Sequence, residues 1–139
     1  MKKINIVILS LTFFCLWTFI SCNPPLGATV RYIFKIKNNS GSKILYQVSE
    51  IYPDTAIQDL DKSRVGDISL MGLQTIDSKI PWPKYFQGLR SDTLSIFFVS
   101  QDTIFKYGWE QVQNRYLVLK RKDISFKDLE ESNYLITYP

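Results

Sequence analysis

The chain opens on one long apolar run and then breaks into short alternating runs divided by polar turns. From Ile4 to Ile20 only Asn5, Ser10, Thr12 and Thr18 interrupt the apolar residues, and no charge occurs from Ile4 through Val30. A run of that length could span a bilayer. Its place behind Lys2 and Lys3 and ahead of the small residue Ser21 gives it the layout of a secretory signal. Asn23 to Gly27, with two prolines and a glycine, reads as a tether. Val30, Tyr32, Phe34 and Ile36 then alternate with a face of mostly cations, the period of a strand with one wet side. Asn38-Asn39-Ser40-Gly41-Ser42 is a turn, and Ile44 to Val48 alternates again. The two runs together predict a β-hairpin.

The middle of the chain is less regular. Pro53-Asp54 starts a loop, and short β-compatible runs occur at Ile68 to Met71 and Leu73 to Ile76. Pro81-Trp82-Pro83 predicts extended or irregular backbone, because each proline biases its predecessor away from helix. Thr93 to Val99 is apolar on both faces at its centre, as an interior strand should be. Asp102 has the look of an N-cap for a short helix with Phe105, Trp109 and Val112 on one side, weakened by Gly108. Arg115 to Arg121 reads as a strand, Ser125 to Asp128 as a capping-box variant, and Tyr134 to Tyr138 as a closing strand. The fold class expected is mainly β: a compact antiparallel β-sandwich, loosely immunoglobulin-like, with two short helices. The alternative is an α+β single antiparallel sheet with the helices on one face. Domain bounds follow as 1–21 signal peptide, 22–29 tether and 30–139 one β-rich domain.

Charge and cysteine content sharpen the address. The chain has 139 residues and carries 17 Lys and Arg against 13 Asp and Glu, a net +4. Removing Lys2 and Lys3 with the signal leaves 15 cations against the same 13 anions, so half of the basicity belongs to targeting. No nucleic-acid partner is expected from so small a charge. The segment Phe19-Ile20-Ser21-Cys22 resembles the lipobox of bacterial lipoproteins, with Phe19 where leucine is usual. The resemblance implies cleavage before Cys22 and a covalent lipid on its thiol and freed amine. Cys15 would leave with the signal. Several acyl chains would make membrane attachment effectively permanent. An uncleaved signal anchor and secretion after cleavage elsewhere are the alternatives. Asn23 stands in place of the Asp associated with inner-membrane retention, and no acidic run follows Cys22. The expected location is the outer membrane of a Gram-negative envelope, lipid-anchored and facing the periplasm.

A second resemblance rests on the C-terminal third: Ser91-Asp92-Thr93-Leu94, Phe97-Phe98, Asp102-Thr103, Tyr107, Trp109, Leu119-Lys120-Arg121, Asp123-Ile124-Ser125, Asp128-Leu129 and Ile136-Thr137-Tyr138-Pro139. This succession is similar to that of small uncharacterised lipoproteins of Gram-negative bacteria, with Lys122 where an aromatic is expected. The likeness implies an address and a fold, and transfers no catalytic residue.

Candidate chemistry is sparse. The sequence contains no histidine, which removes His-dependent triads and imidazole metal sites. Glu110, Asp92, Asp102, Asp123 and Asp128 could supply a hydrolytic carboxylate pair only if two of them face one another in a cleft. No enzyme activity, cofactor or metal is expected beyond the lipid on Cys22, and no run of spaced acids with glycine suggests a calcium loop. Lys120-Arg121-Lys122 could touch anionic lipid, but fits the solvated end of a strand better. Trp82, Tyr85 and Phe86 are the candidate recognition surface, as rings on a proline-stiffened loop; the competing reading places Trp82 in the core. The functional expectation is a non-catalytic binding module for an envelope protein or glycan. An assembly lipoprotein that pairs through a sheet edge is the alternative, and a carboxylate hydrolase a remote one.

Overall fold

A computed structural model describes residues 30–53, 56–57 and 64–139. The expected signal peptide, Cys22 and the expected tether at 22–29 lie outside the described residues. Among the described residues seven strands and four short helices follow in chain order: β1 (Tyr32–Asn38), β2 (Ile44–Ser49), β3 (Arg64–Ile68), β4 (Leu73–Ser78), α1 (Trp82–Gln87), β5 (Thr93–Ser100), α2 (Gln101–Tyr107), α3 (Trp109–Asn114), β6 (Lys120–Ser125), α4 (Phe126–Glu131) and β7 (Leu135–Tyr138). They form a three-stranded sheet, β4-β1-β7, and a four-stranded sheet, β3-β2-β5-β6. The sandwich expected from the strand pattern is thus present. All pairs are antiparallel except β1 with β7, which run parallel.

The main core lies between the sheets. Phe34 and Ile36 of β1, Ile76 of β4 and Ile136 of β7 meet Ile44, Tyr46, Val48, Leu94, Ile96, Phe98 and Ile124 of the other sheet in one buried cluster. Each such side chain contributes roughly 1.5–3 kcal/mol by leaving water. A second, smaller cluster lies on the opposite face of β5. There Phe97, Val99 and Val112 are fully buried, with Trp109, Leu117 and Ile104 packed against them. Both faces of β5 are therefore covered, as its apolar run predicts.

The expected hairpin is not formed. β1 and β2 belong to different sheets, and the turn between them crosses the sandwich. Asn38 explains why. It is fully buried, and its Nδ2 donates to the carbonyls of Ser42 (2.8 Å) and Ser69 (3.0 Å). Its Oδ1 accepts from the Ser40 backbone N–H at 2.9 Å and from the Ser40 hydroxyl. One side chain thus pins the β1–β2 crossing to the β3–β4 crossing, where Gly72 N–H also donates to Ser69 at 2.9 Å. The Ile68 to Met71 run ends in that crossing, with Met71 at φ 52°, so only Ile68 is strand.

Two further boundaries move. Residues 115–119 are not strand, because the end of α3 claims the backbone of residues 115–117. Arg115 N–H donates to Gln111, Leu117 N–H to Val112, and Tyr116 sits at φ 51°. β6 starts at Lys120 instead. The single helix expected from Asp102 is split into α2 and α3 at Gly108, whose φ of 76° and ψ of 159° favour glycine. Asp102 lies in the first turn, and the cap position is Ser100. The capping box at Ser125 and Asp128 is formed as expected.

Candidate functional site

The residues expected to recognise a partner are mostly core. Pro81 occupies the N-cap of α1 and Pro83 its first turn, where a missing N–H costs nothing. The prolines therefore start a helix instead of preventing one. On that helix Trp82, Tyr85 and Phe86 fall at i, i+3 and i+4 and share one face. That face turns inward: Trp82 is 2% and Phe86 1% exposed. Trp82 meets Phe34 edge-on with ring centroids 5.0 Å apart, and Phe86 lies 5.9 Å from Phe126 of α4. Tyr85 is half-buried and donates its hydroxyl to Glu50. The expected recognition surface of Trp82, Tyr85 and Phe86 is therefore not displayed, because these rings lie on the inward face of a helix and not on a loop.

Exposed rings stand elsewhere, on the α2–α3 cover of the four-stranded sheet. Phe105 is 79% exposed, Tyr116 45% and Tyr107 40%. The break at Gly108 is the cause. A continuous helix would place Phe105 beside Trp109 and Val112, but the glycine turns α3 into the sheet without it. Trp109 and Val112 pack on Phe97 and Val99, and Phe105 is left in solvent. Tyr107 is flanked by two cations, the Lys106 ammonium 5.0 Å and the Arg115 guanidinium 5.6 Å from its ring centre. Tyr116 rests edge-on against Phe97 at 6.3 Å. The sequence pattern hides this set, because Phe105 falls in an apolar stripe with Trp109 and Val112. The glycine inside the stripe was the available signal.

Beside this cover lies a polar cluster on the outer face of β5 and β6. Arg121 donates through Nε to Asp123 Oδ1 at 2.7 Å, and the buried Ser95 hydroxyl donates to the same oxygen at 2.6 Å. The guanidinium also stands 5.5 Å from the Phe97 ring and 5.7 Å from that of Tyr52. Burial opposes the charge of Arg121. The hydrogen bond and charge of Asp123, with Tyr116, outweigh it and hold the pKa above its ordinary value. Arg121 is therefore not part of a solvated basic patch, for its side chain is only 16% exposed.

The other carboxylates are dispersed. Asp92 sits at a turn with φ 46°, Asp102 and Glu110 in the first turns of α2 and α3, and Asp128 in the α4 capping box. Two adjoining clefts of about 420 Å³ each share Ile33 and Tyr134 at the junction of β1, α1 and β7. A third, near Tyr46, holds Asp77. None of the three is lined by two carboxylates. Among the described residues no group of three or more His, Cys, Asp or Glu is placed to hold a metal. No described helix is long and apolar enough to cross a membrane. No family model, curated protein or solved structure matches the chain.

Proposed function

We propose that the chain is a lipid-anchored envelope protein whose β-rich domain is a non-catalytic binding module for a protein or glycan. The anchor is Cys22, reached through the apolar leader and Ser21. The observation that carries the binding role is the exposed aromatic set Phe105, Tyr107 and Tyr116. Aromatic rings held on a packed cover give apolar area at little entropic cost, and such rings anchor protein interfaces and stack on sugars. Lys106 and Arg115 beside Tyr107 add positive charge to the surface. Its partner would therefore present acidic groups along with apolar or ring faces.

The sheet-edge alternative has less support. The β7 edge is four residues long and Pro139 follows it at once, and short edges resist augmentation.

Two experiments test the proposal. Inhibiting the lipoprotein signal peptidase in cells should leave a larger precursor, and an unchanged size would refute the anchor. Crosslinking in intact envelopes should capture a partner that Phe105→Ser with Tyr107→Ser loses. A capture pattern identical for wild type and that double variant would remove the binding surface.

A further inference from the structure

The outer face of the three-stranded sheet is covered by no described element. Its residues follow from the register. Ile33 pairs with Asp77, Lys35 lies between Thr75 and Leu135, and Lys37 lies between Leu73 and Thr137. Inward neighbours Phe34 and Ile36 fill the core, so this alternate set points away from it. Ile33, Leu73 and Leu135 are 45%, 52% and 37% exposed. Lys35 and Lys37 run up the centre between them, with no ion-pair partner among the described residues. The one carboxylate in these rows, Asp77, is engaged by Arg31. A row of free cations framed by exposed aliphatic side chains is the composition that suits an anionic bilayer surface, where ammonium groups meet phosphates and aliphatic groups enter the interface.

The point of attachment favours the same partner. Eight residues, 23–30, separate Cys22 from Arg31. Fully extended, that stretch reaches no more than about 30 Å. The tether feeds directly into β1, the central strand of the sheet that bears the cations. Tethering makes the encounter intramolecular, so an individually weak contact is enough to orient the domain.

We propose that this face docks on the anionic bilayer to which the chain is anchored. It rests on the anchoring of Cys22 proposed above. Docking would turn the α2–α3 cover, on the outer side of the other sheet, away from the membrane and towards the partner. The contact is electrostatic in part and weakens with salt.

The test uses the mature, full-length protein on vesicles of phosphatidylcholine with and without phosphatidylglycerol. A fluorophore is attached at Thr75→Cys, on β4 beside Lys35 in the middle row of the face, or at Gln111→Cys, exposed on α3. The Thr75 label should be shielded from an aqueous quencher on phosphatidylglycerol vesicles and reopened by salt, while the Gln111 label stays accessible throughout. Lys35→Glu with Lys37→Glu should abolish the shielding. Equal quenching at both positions on every vesicle would overturn the docking. The anchor is scored separately by flotation with phosphatidylcholine alone. Wild type should float and Cys22→Ala should not. If the two behave alike, the anchor fails, and the face is still judged by binding of the unlipidated chain to phosphatidylglycerol vesicles, which charge reversal should weaken roughly tenfold or more.

Discussion

Two groups of aromatic residues sit on short helices and meet opposite fates. Trp82, Tyr85 and Phe86 occupy α1, and two of the three are almost wholly buried. Phe105 and Tyr107 occupy α2, and both are exposed. Neither hydrophobicity nor residue type separates them. The backbone punctuation does. Pro81 and Pro83 start α1 in a place where proline is harmless, so the i, i+3, i+4 spacing of its rings faces the core intact. Gly108 interrupts the second helix, so the stripe that would have carried Phe105 inward ends one residue after Tyr107.

The largest expected effect is a direct contrast between these groups. Trp82→Ala should cost about 3–5 kcal/mol, because it empties a site lined by Phe34, Tyr85 and Phe86. Phe105→Ala should stay within about 0.5 kcal/mol, as exposed positions do. Urea denaturation of both variants measures the difference. Similar losses in the two would mean that Phe105 packs somewhere, and the exposed-surface reading would fail.

Gly108 is the next point of attack. Gly108→Ala meets no atom within 4 Å, so its cost is the backbone alone, about 1–3 kcal/mol for this φ and ψ. A variant as stable as the wild type would show that the break between α2 and α3 is not set by the glycine. Gly66 provides the opposite control. A Cβ there would lie 2.6 Å from the Tyr46 ring across the β2–β3 pair, so Gly66→Ala acts through a clash and not through φ. Its expected cost is about 1–3 kcal/mol as well, read from the same denaturation curves.

How far the sequence discloses this molecule depends on the range of the interaction. Strands with a two-residue period were legible: β1, β2, β5 and β7 lie where alternation and apolar runs put them, and the capping box marks the start of α4. These signals are local. Sheet membership was not legible, because Asn38 bonds to Ser69, 31 residues away, and that contact sends β1 and β2 into different sheets. The Arg121, Asp123 and Ser95 cluster was hidden for the same reason, since 26 residues separate Arg121 from Ser95. Which rings are exposed depends on local punctuation. Pro81 and Pro83 start a helix where proline more often breaks one, and Gly108 ends a helix inside an apolar stripe that would otherwise continue.

The α4 cap allows a smaller test of the buried group. Ser125 accepts from the Asp128 N–H at 3.2 Å, and the Asp128 carboxylate accepts from the Ser125 N–H at 2.9 Å. α4 carries the buried Leu129 and, through Phe126, touches Phe86. Ser125→Ala should therefore cost about 1 kcal/mol. It should also raise amide exchange in α4 and in α1 together, while α2 is unaffected. Faster exchange in α4 alone would uncouple the cap from the buried rings.

The smallest effect is its pH dependence. Hydrogen bonds from the Ser125 hydroxyl and backbone N–H hold the Asp128 pKa below its ordinary value. The unfolded chain then binds more protons than the folded one as acid is added, so stability rises with pH across that range. The contribution is complete above the unfolded carboxylate value, about 3.9, and is lost as pH falls through the depressed folded value. Asp128 is exposed, so solvent screens the effect and it should fall below that of the cap deletion. Asp128→Asn should remove this part of the acid sensitivity while leaving Phe105→Ala variants and their parent with the same pH profile. Urea midpoints measured from neutral pH down to about pH 3 decide it. A steeper acid loss in the Asn variant would reverse the sign and place the stabilising proton on the folded carboxyl.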